Sequence, residues 1–421
     1  MFMNEQIKKR IHLALDPLFI AFKWAVLAIL SGIIIGFVGA AFCICMNYAT
    51  NYRLEHPNII FLLPVAGICI VGIYHLLNNE ADTGTDLVIS AIHFNAHVPL
   101  RMAPSIFIST ILTHLFGGSA GREGAALQLG GSVGASLGKL LKLNDKDAHV
   151  MIMCGMSAAF AALFCTPMAA AVFSMEVVSV GIMYYSALVP CVISALIGYG
   201  ITSHFKLSEN IFHISNLPVF SAKNAVIICI LAVLCAVVSI LFCIILHTAQ
   251  NLYKKYFANP YIRAFAGGCF ILILTLLVGN HDYNGTGMQV ISRALNGEVV
   301  PAAFLLKILF TALTLGAGFK GGEIVPTFFI GATFGCLFGT ITGFSPVLCT
   351  AVGMTSVFCG VTNCPITSLL ISFEMFGFSG MPYYLLACAF SYMLSGHFGL
   401  YHSQTIMYSK LQTTFINKGT H

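Results

Sequence analysis

GREGAALQLGGSVGASLG, residues 121–138, and GGEIVPTFFIGATFGCLFG, residues 321–339, are the two stretches on which the fold turns. Each carries a glycine two residues before a glutamate (Gly121 and Glu123, Gly321 and Glu323) and another eight residues after it (Gly131, Gly331). Small residues at such spacing let helices approach closely inside a bilayer. A second glutamate follows each stretch, nine residues after a proline: Pro167 to Glu176 in TPMAAAVFSME, Pro365 to Glu374 in CPITSLLISFE. The glutamates of a stretch lie 53 residues apart in the first case and 51 in the second. A register kept over that length marks an internal repeat.

Around these stretches the chain is apolar: 58% of its 421 residues are hydrophobic and 8% are charged, against about 25% charged in a soluble domain. Runs long enough to cross a bilayer, about 20 residues each, lie near 18–44, 58–78, 149–178, 181–203, 224–248, 262–279, 300–316, 345–376 and 381–399. These features predict an integral, all-α, polytopic membrane protein. The opening MFMNEQIKKR leads into a long span without a small-residue cleavage site, which reads as a retained first helix.

The net charge of +5 rests on few residues, and no basic face with interleaved aromatics points to nucleic acid. Fifteen cysteines, among them Cys43, Cys229, Cys336 and Cys388, are scattered without a CxxC pair and read as small buried hydrophobes. The histidines show no HExxH or similar spacing, so neither a metal nor a cofactor is expected.

The two halves read as oppositely oriented. Lys8, Lys9 and Arg10 precede the first span, whereas Lys254 and Lys255 follow the span 224–248 that opens the second half. If both clusters stay in the cytoplasm, one opening helix runs outward and the other inward. The organisation is then a cytoplasmic segment 1–17, a first repeat 18–215, a second, inverted repeat 216–408 and a short tail 409–421. Inverted repeats with broken helices place a substrate site near the midplane, where half-helix N-termini face an anion. Gly118, Gly121 and Gly124 around Glu123, and Gly318, Gly321 and Gly322 before Glu323, supply the breaks. Free N–H groups there, with the helix dipole, bind an anion without a full positive charge.

Arg122 and Glu123 are costly at membrane depth and are functional candidates for that reason. Glu176 and Glu374 read as structural, each hydrogen-bonding a neighbouring backbone. A different class of reading is a serine hydrolase: GGSAG, residues 117–121, fits G-x-S-x-G, with His114 or His149 as base. That elbow needs a strand-turn-helix in a soluble sheet, and Ser119 lies among membrane spans, so transport is favoured over enzymatic activity.

The ordered motifs resemble the CLC family of chloride channels and anion/proton antiporters over roughly residues 20–408. GREGAALQLGG is similar to the family's G-[KR]-E-G-P, with Ala125 in place of proline. GGEIVP is similar to G-x-F-x-P, with Ile324 in place of phenylalanine and Pro326 kept. DTGTDL, residues 82–87, resembles a degenerate G-S-G-I-P-E in which Gly84 is kept and Thr83 falls where the ion-coordinating serine stands. Tyr401 in GLYHSQ matches the tyrosine whose hydroxyl meets the central anion.

The resemblance implies that Glu123 gates the pathway: its carboxylate occupies an anion position, yields it to anion and carries a proton as it moves. It implies an anion site formed by Thr83, Gly84, Gly124, Ala125, Ile324, Val325 and Tyr401, with Glu123 and Glu323 as gating and proton-transfer groups. It also implies a homodimer in a lipid bilayer, the inner membrane of a bacterium, that moves fluoride or chloride ions and protons. The inner proton-transfer glutamate of chloride/proton antiporters would fall at Val177. The fluoride/proton branch is similar in three respects: an acid at Glu323, a small residue after GREG, and no inner proton glutamate. That branch differs in often carrying methionine at Thr83 and threonine at Val325. Fluoride export coupled to protons is the leading expectation, with a chloride/proton antiporter or passive anion channel of the same fold as alternatives.

Overall fold

A computed structural model of the chain describes residues 2–80, 82–94, 96–207, 212, 214 and 217–421, with side chains described from residue 17 onward. The boundary expected between residues 215 and 216, and the basic side chains of residues 8–10, lie outside the described residues. The first half runs α1 (Phe2–Glu55), α2 (Leu63–Leu76), α3 (Thr85–Phe94), α4 (Met102–Leu115), α5 (Glu123–Leu140), α6 (Asp145–Phe164), α7 (Pro167–Glu176) and α8 (Leu188–His204). The second runs α9 (Ala222–Tyr256), α10 (Pro260–Val278), α11 (Met288–Leu295), α12 (Ala303–Gly316), α13 (Ile324–Thr342), α14 (Pro346–Thr362), α15 (Pro365–Phe376) and α16 (Met381–Leu394).

The packing repeats with the order. α5 lies along α6 as α13 lies along α14; α1 against α8 as α9 against α16; α6 against α8 as α14 against α16. Among the described residues seven helical spans are long and apolar enough to cross a membrane, including Pro17–Glu55 and Ala222–Tyr256, which open the two halves. Helix α1 starts at Phe2, so the segment expected before residue 18 continues the first helix.

Two expected spans are each two helices. The run 149–178 breaks after Phe164 and the run 345–376 after Thr362. At each break one residue is left-handed (Cys165, φ 60°; Asn363, φ 59°), the next is extended, and proline opens the following helix. Hydropathy does not register a two-residue break, whereas proline stops the preceding helix and starts the next.

The short helices α7 and α15 cap each other. Glu176, at the end of α7, accepts from the backbone N–H of Ile366 (3.1 Å) and Thr367 (2.8 Å) and from the Thr367 hydroxyl (2.6 Å), at the start of α15. Glu374, near the end of α15, accepts from the N–H of Met168 and Ala169 (2.9 Å each), at the start of α7. The first N–H groups of a helix have no intrahelical acceptor, so each carboxylate satisfies donors that burial would leave orphaned. With start against end in both directions, equivalent helices run antiparallel, as an inverted repeat requires.

Among the described residues lie three short strands, β1 (Ser179–Val180), β2 (Thr405–Tyr408) and β3 (Phe415–Gly419), in the order β1-β2-β3. β2 pairs in parallel with β1 and antiparallel with β3. Residues 409–421 therefore fold back onto the last repeat, and the boundary expected at 408 falls inside a hairpin.

Candidate functional site

The two glycine stretches meet in an antiparallel bridge, Gly121 N–H to Gly322 O at 2.6 Å and Gly322 N–H to Gly121 O at 2.7 Å. No side chain fits here: a Cβ on Gly322 would lie 2.4 Å from the Gly124 nitrogen. The bridge shows that Gly121 matches Gly322 and not Gly321. The same one-residue shift recurs along α5 and α13, where Gly130 abuts the Gly155 carbonyl and Gly331 abuts the Gly353 carbonyl, with room for no Cβ at either. The first intrahelical bonds agree, Ala126 N–H to Arg122 O (3.0 Å) and Thr327 N–H to Glu323 O (3.1 Å). The expected pairing of Glu123 with Glu323 is thus corrected: Glu123 is the first residue of α5 and matches Ile324, and Glu323 matches Arg122. Matching by residue type aligned two acids; the helix starts align the positions.

The two carboxylates open onto different cavities. Glu123 is 1% exposed, and its oxygens accept from the Arg122 backbone N–H (3.0 Å) and Arg122 Nε (3.2 Å). It lines a cavity of about 300 Å³ with Met46, Asn47, Thr286, Val325 and Phe328. Glu323 lines a second cavity of about 520 Å³ with Thr83, Gly84, Gln128, Tyr401 and Lys254. The C-terminal half of α1 lines the first cavity and that of its mate α9 lines the second. On the expectation that Lys254 is cytoplasmic, the Glu323 cavity is the inner one and the Glu123 cavity the outer one.

Four buried oxygens around this cavity, Glu323 Oε2, Tyr401 Oη, Gln128 Oε1 and Asp82 Oδ2, have no protein hydrogen-bond partner, although Asp82 faces the Lys320 ammonium at 3.8 Å. A buried acceptor without a donor is costly, so such atoms mark a place where a substrate ion, a proton or water completes the bonding. Gly124 brings its backbone against this carboxylate; a Cβ there would stand 3.2 Å from Glu323 Oε2. Glu123, Gly124 and Ala125, and Ile324 and Val325, form the first turns of the two facing helices, where N–H groups lack intrahelical acceptors.

The loop 82–87 is placed differently from expectation in one respect. Thr83 is exposed in the inner cavity, and the buried hydroxyl is that of Thr85, 3.5 Å from the Gly124 carbonyl and bonded by Gln128 Nε2 at 3.3 Å. A motif too degenerate to align by type gave no signal for Thr85.

Tyr401 is held from two directions that the sequence did not indicate. Asp86, Ser90 and His93 share one face of α3 and bind Ser403 N–H (2.8 Å), the Ser403 hydroxyl (2.8 Å) and the Thr405 hydroxyl (2.9 Å). From the tail, the Thr420 hydroxyl donates to the Tyr401 carbonyl. Behind Glu123, Phe160, Phe164, Phe328, Phe358 and Phe173 form a closed ring of contacts, with centroids 5.0–6.1 Å apart, that joins the two halves.

Ser119 is fully buried; its hydroxyl pairs with Thr311 (3.1 Å), and His114 Nε2 with the Gly121 carbonyl (3.2 Å), which is no nucleophile-base arrangement. Among the described residues no group of three His, Cys, Asp or Glu side chains is placed to hold a metal.

The family model described as voltage gated chloride channel matches residues 66–396. The chain belongs to that family. It is an integral membrane protein with the CLC fold, and transport is the activity of this architecture. It is 35% identical over 395 residues to the chloride/fluoride channel protein of Pseudomonas syringae pv. tomato, covering 92% of this chain and 87% of that one. It is 27% identical over 275 residues to the H(+)/Cl(-) exchange transporter ClcA of Vibrio cholerae, covering 61% of this chain and 58% of the relative. Among solved structures it is similar to a CLC-type fluoride/proton antiporter, with a TM-score of 0.88 and 30% identity over 91% of this chain and 98% of that one. A slow cyanobacterial Cl-/H+ antiporter at 20% identity shares the fold, with a TM-score of 0.78 over 88% of this chain and 94% of that one.

Proposed function

We propose that this chain is a fluoride/proton antiporter that exports fluoride, with Glu123 as the gating acid and Glu323 as a second proton-carrying group. The observation that carries this reading is the Glu323 carboxylate: it caps α13 where the other half has Arg122, and its Oε2 is buried beside Gly124 without a donor. An acid beside an anion path repels the anion when charged, and a proton removes that repulsion. Fluoride is small and strongly hydrated, so its site has to replace more hydration than a chloride site does. The first-turn N–H groups of Gly124, Ala125, Ile324 and Val325, the Tyr401 hydroxyl and the loop at Thr83 and Gly84 are the proposed donors and lining. Two similar proteins bear names that include fluoride, which supports the choice of ion.

Exchange follows from competition: the Glu123 carboxylate, which here accepts from Arg122, swings to the helix-start N–H groups that bind the halide, is displaced by arriving anion and returns with a proton. Binding by dipoles is weak enough to permit release. The test is purified protein in liposomes read with fluoride and chloride electrodes and a pH dye in parallel. Fluoride efflux should exceed chloride efflux by at least about tenfold, roughly 1.4 kcal/mol in barrier, and should drive proton movement. Equal rates, or faster chloride, would leave a chloride/proton antiporter or anion channel of the same fold.

A further inference from the structure

We propose that His247 and His402 form a proton-accepting pair in the cytoplasm-facing cavity, the group with which Glu323 exchanges its proton during transport. This rests on the antiport reading above. The imidazole rings lie with centroids 4.0 Å apart and planes inclined by 33°, one from α9 and one from the residue after Tyr401. His247 is half-buried, with Nε2 3.4 Å from the Leu400 carbonyl, and His402 is exposed in the cavity. Both line the same 520 Å³ cavity as Glu323 and Tyr401.

The other ionisable groups there are committed elsewhere. Asp82 faces Lys320 at 3.8 Å, and Asp86 accepts from Ser403 N–H at 2.8 Å. Lys254, Arg263 and Lys320 line the same cavity and are basic groups with no carboxylic acid proton to pass on. Val177, between this region and α7, is fully buried and carries no proton. Imidazole is the side-chain type best suited to pass a proton near neutral pH, and the histidines that line this cavity are His247 and His402.

The charges facing the pair come from every side. Lys254 on α9, Arg263 on α10 and Lys320 before α13 oppose a positive charge; Asp82, Asp86 on α3 and Glu323, when ionised, favour it. Two imidazoles this close carry one proton more readily than two, since like charges repel. The step is a single transfer. The O–H bond of protonated Glu323 breaks and an imidazole N–H bond forms, leaving carboxylate and imidazolium; the imidazolium then gives its proton to cavity water on the cytoplasmic side. The cavity is polar and roomy enough for water to carry the proton between the groups.

The experiment uses the full chain in liposomes at equal pH on both sides, stepped between about pH 5 and 8, with fluoride electrode and pH dye read together. The proteins are the wild type, His402→Gln and the His247→Gln/His402→Gln double variant. Wild-type turnover should change with pH across that range. The double variant should lose that dependence and at least about tenfold of its fluoride-driven proton movement, with the exposed His402→Gln alone in between. An unchanged pH profile and proton movement in the double variant would overturn the proposal, as would a lowered melting temperature with both readouts intact, since that is a packing role. A wild type that moves fluoride without protons would remove the antiport reading itself, and the pair's role with it.

Discussion

Arg122 and Glu323 hold the same place in the two halves: each caps a glycine-preceded helix, with φ −108° and ψ −21° at Arg122 and φ −95° and ψ −16° at Glu323. One position is a cation and the other an acid. Arg122 donates to its neighbour Glu123, whereas Glu323 has an oxygen without a donor. The Glu123 carboxylate is thus held by charge, and the Glu323 carboxylate has an oxygen open to the proton that the proposed role requires. Glu323→Ala should therefore lower fluoride-driven proton movement by at least about tenfold, while Glu323→Gln, which keeps the shape, should lower it similarly. Coupling retained in both variants would exclude Glu323 from the proton path.

Glu123→Gln keeps the side chain's size and removes its ability to cycle a proton. Proton-coupled exchange should fall by at least about a hundredfold. The pH dye in the liposome assay reads this directly, and uphill proton pumping by the variant would end the gating assignment.

Gly322→Ala places a methyl 2.4 Å from the Gly124 nitrogen and 2.8 Å from its Cα, both backbone atoms of the facing helix start. The bridge to Gly121 cannot keep its 2.6 and 2.7 Å bonds around that group. Transport should be lost even though the substitution adds one carbon far from any charge change. Wild-type flux in this variant would show that the helix starts separate freely.

Glu176→Ala strands two backbone N–H groups and the Thr367 hydroxyl without their acceptor. At about 1–3 kcal/mol for each buried donor left unpaired, the loss should show as a clear drop in melting temperature in detergent. Glu176→Gln, which retains one acceptor oxygen, should lose less. An unchanged melting temperature would mean that water replaces the cap.

The CLC resemblance implies a homodimer, and each subunit should hold a complete pathway because both helix starts of the site come from one chain. Mass measurement in detergent should give twice the 45.2 kDa of the protomer. A monomer under conditions that retain transport would refute it.

The repeat, its inversion and the acids at the helix starts were legible because glycine, proline and glutamate punctuate an otherwise apolar chain. The register was not: Glu123 and Glu323 match as letters, but the Gly121–Gly322 bridge and the starts of α5 and α13 shift them by one. The breaks at Cys165 and Asn363 escaped because both lie in continuous apolar runs. Thr85, the Asp86, Ser90 and His93 clamp, and the Thr420 contact depend on pairings over tens to hundreds of residues, which no local pattern encodes. The hairpin strands β2 and β3 are four and five residues long, and β1 is two, too short to leave a periodicity to read.

The exchange of caps between α7 and α15 bears on how the chain is made. Met168 emerges from the ribosome 206 residues before the carboxylate that serves it, so the start of α7 stays unfinished through about half of the synthesis of this 421-residue chain. The first half cannot settle into its final form while it is alone in the membrane. Two separately translated halves, cut between α8 and α9, would each carry the group that the other lacks, and co-expression should restore a transporter that neither fragment yields by itself.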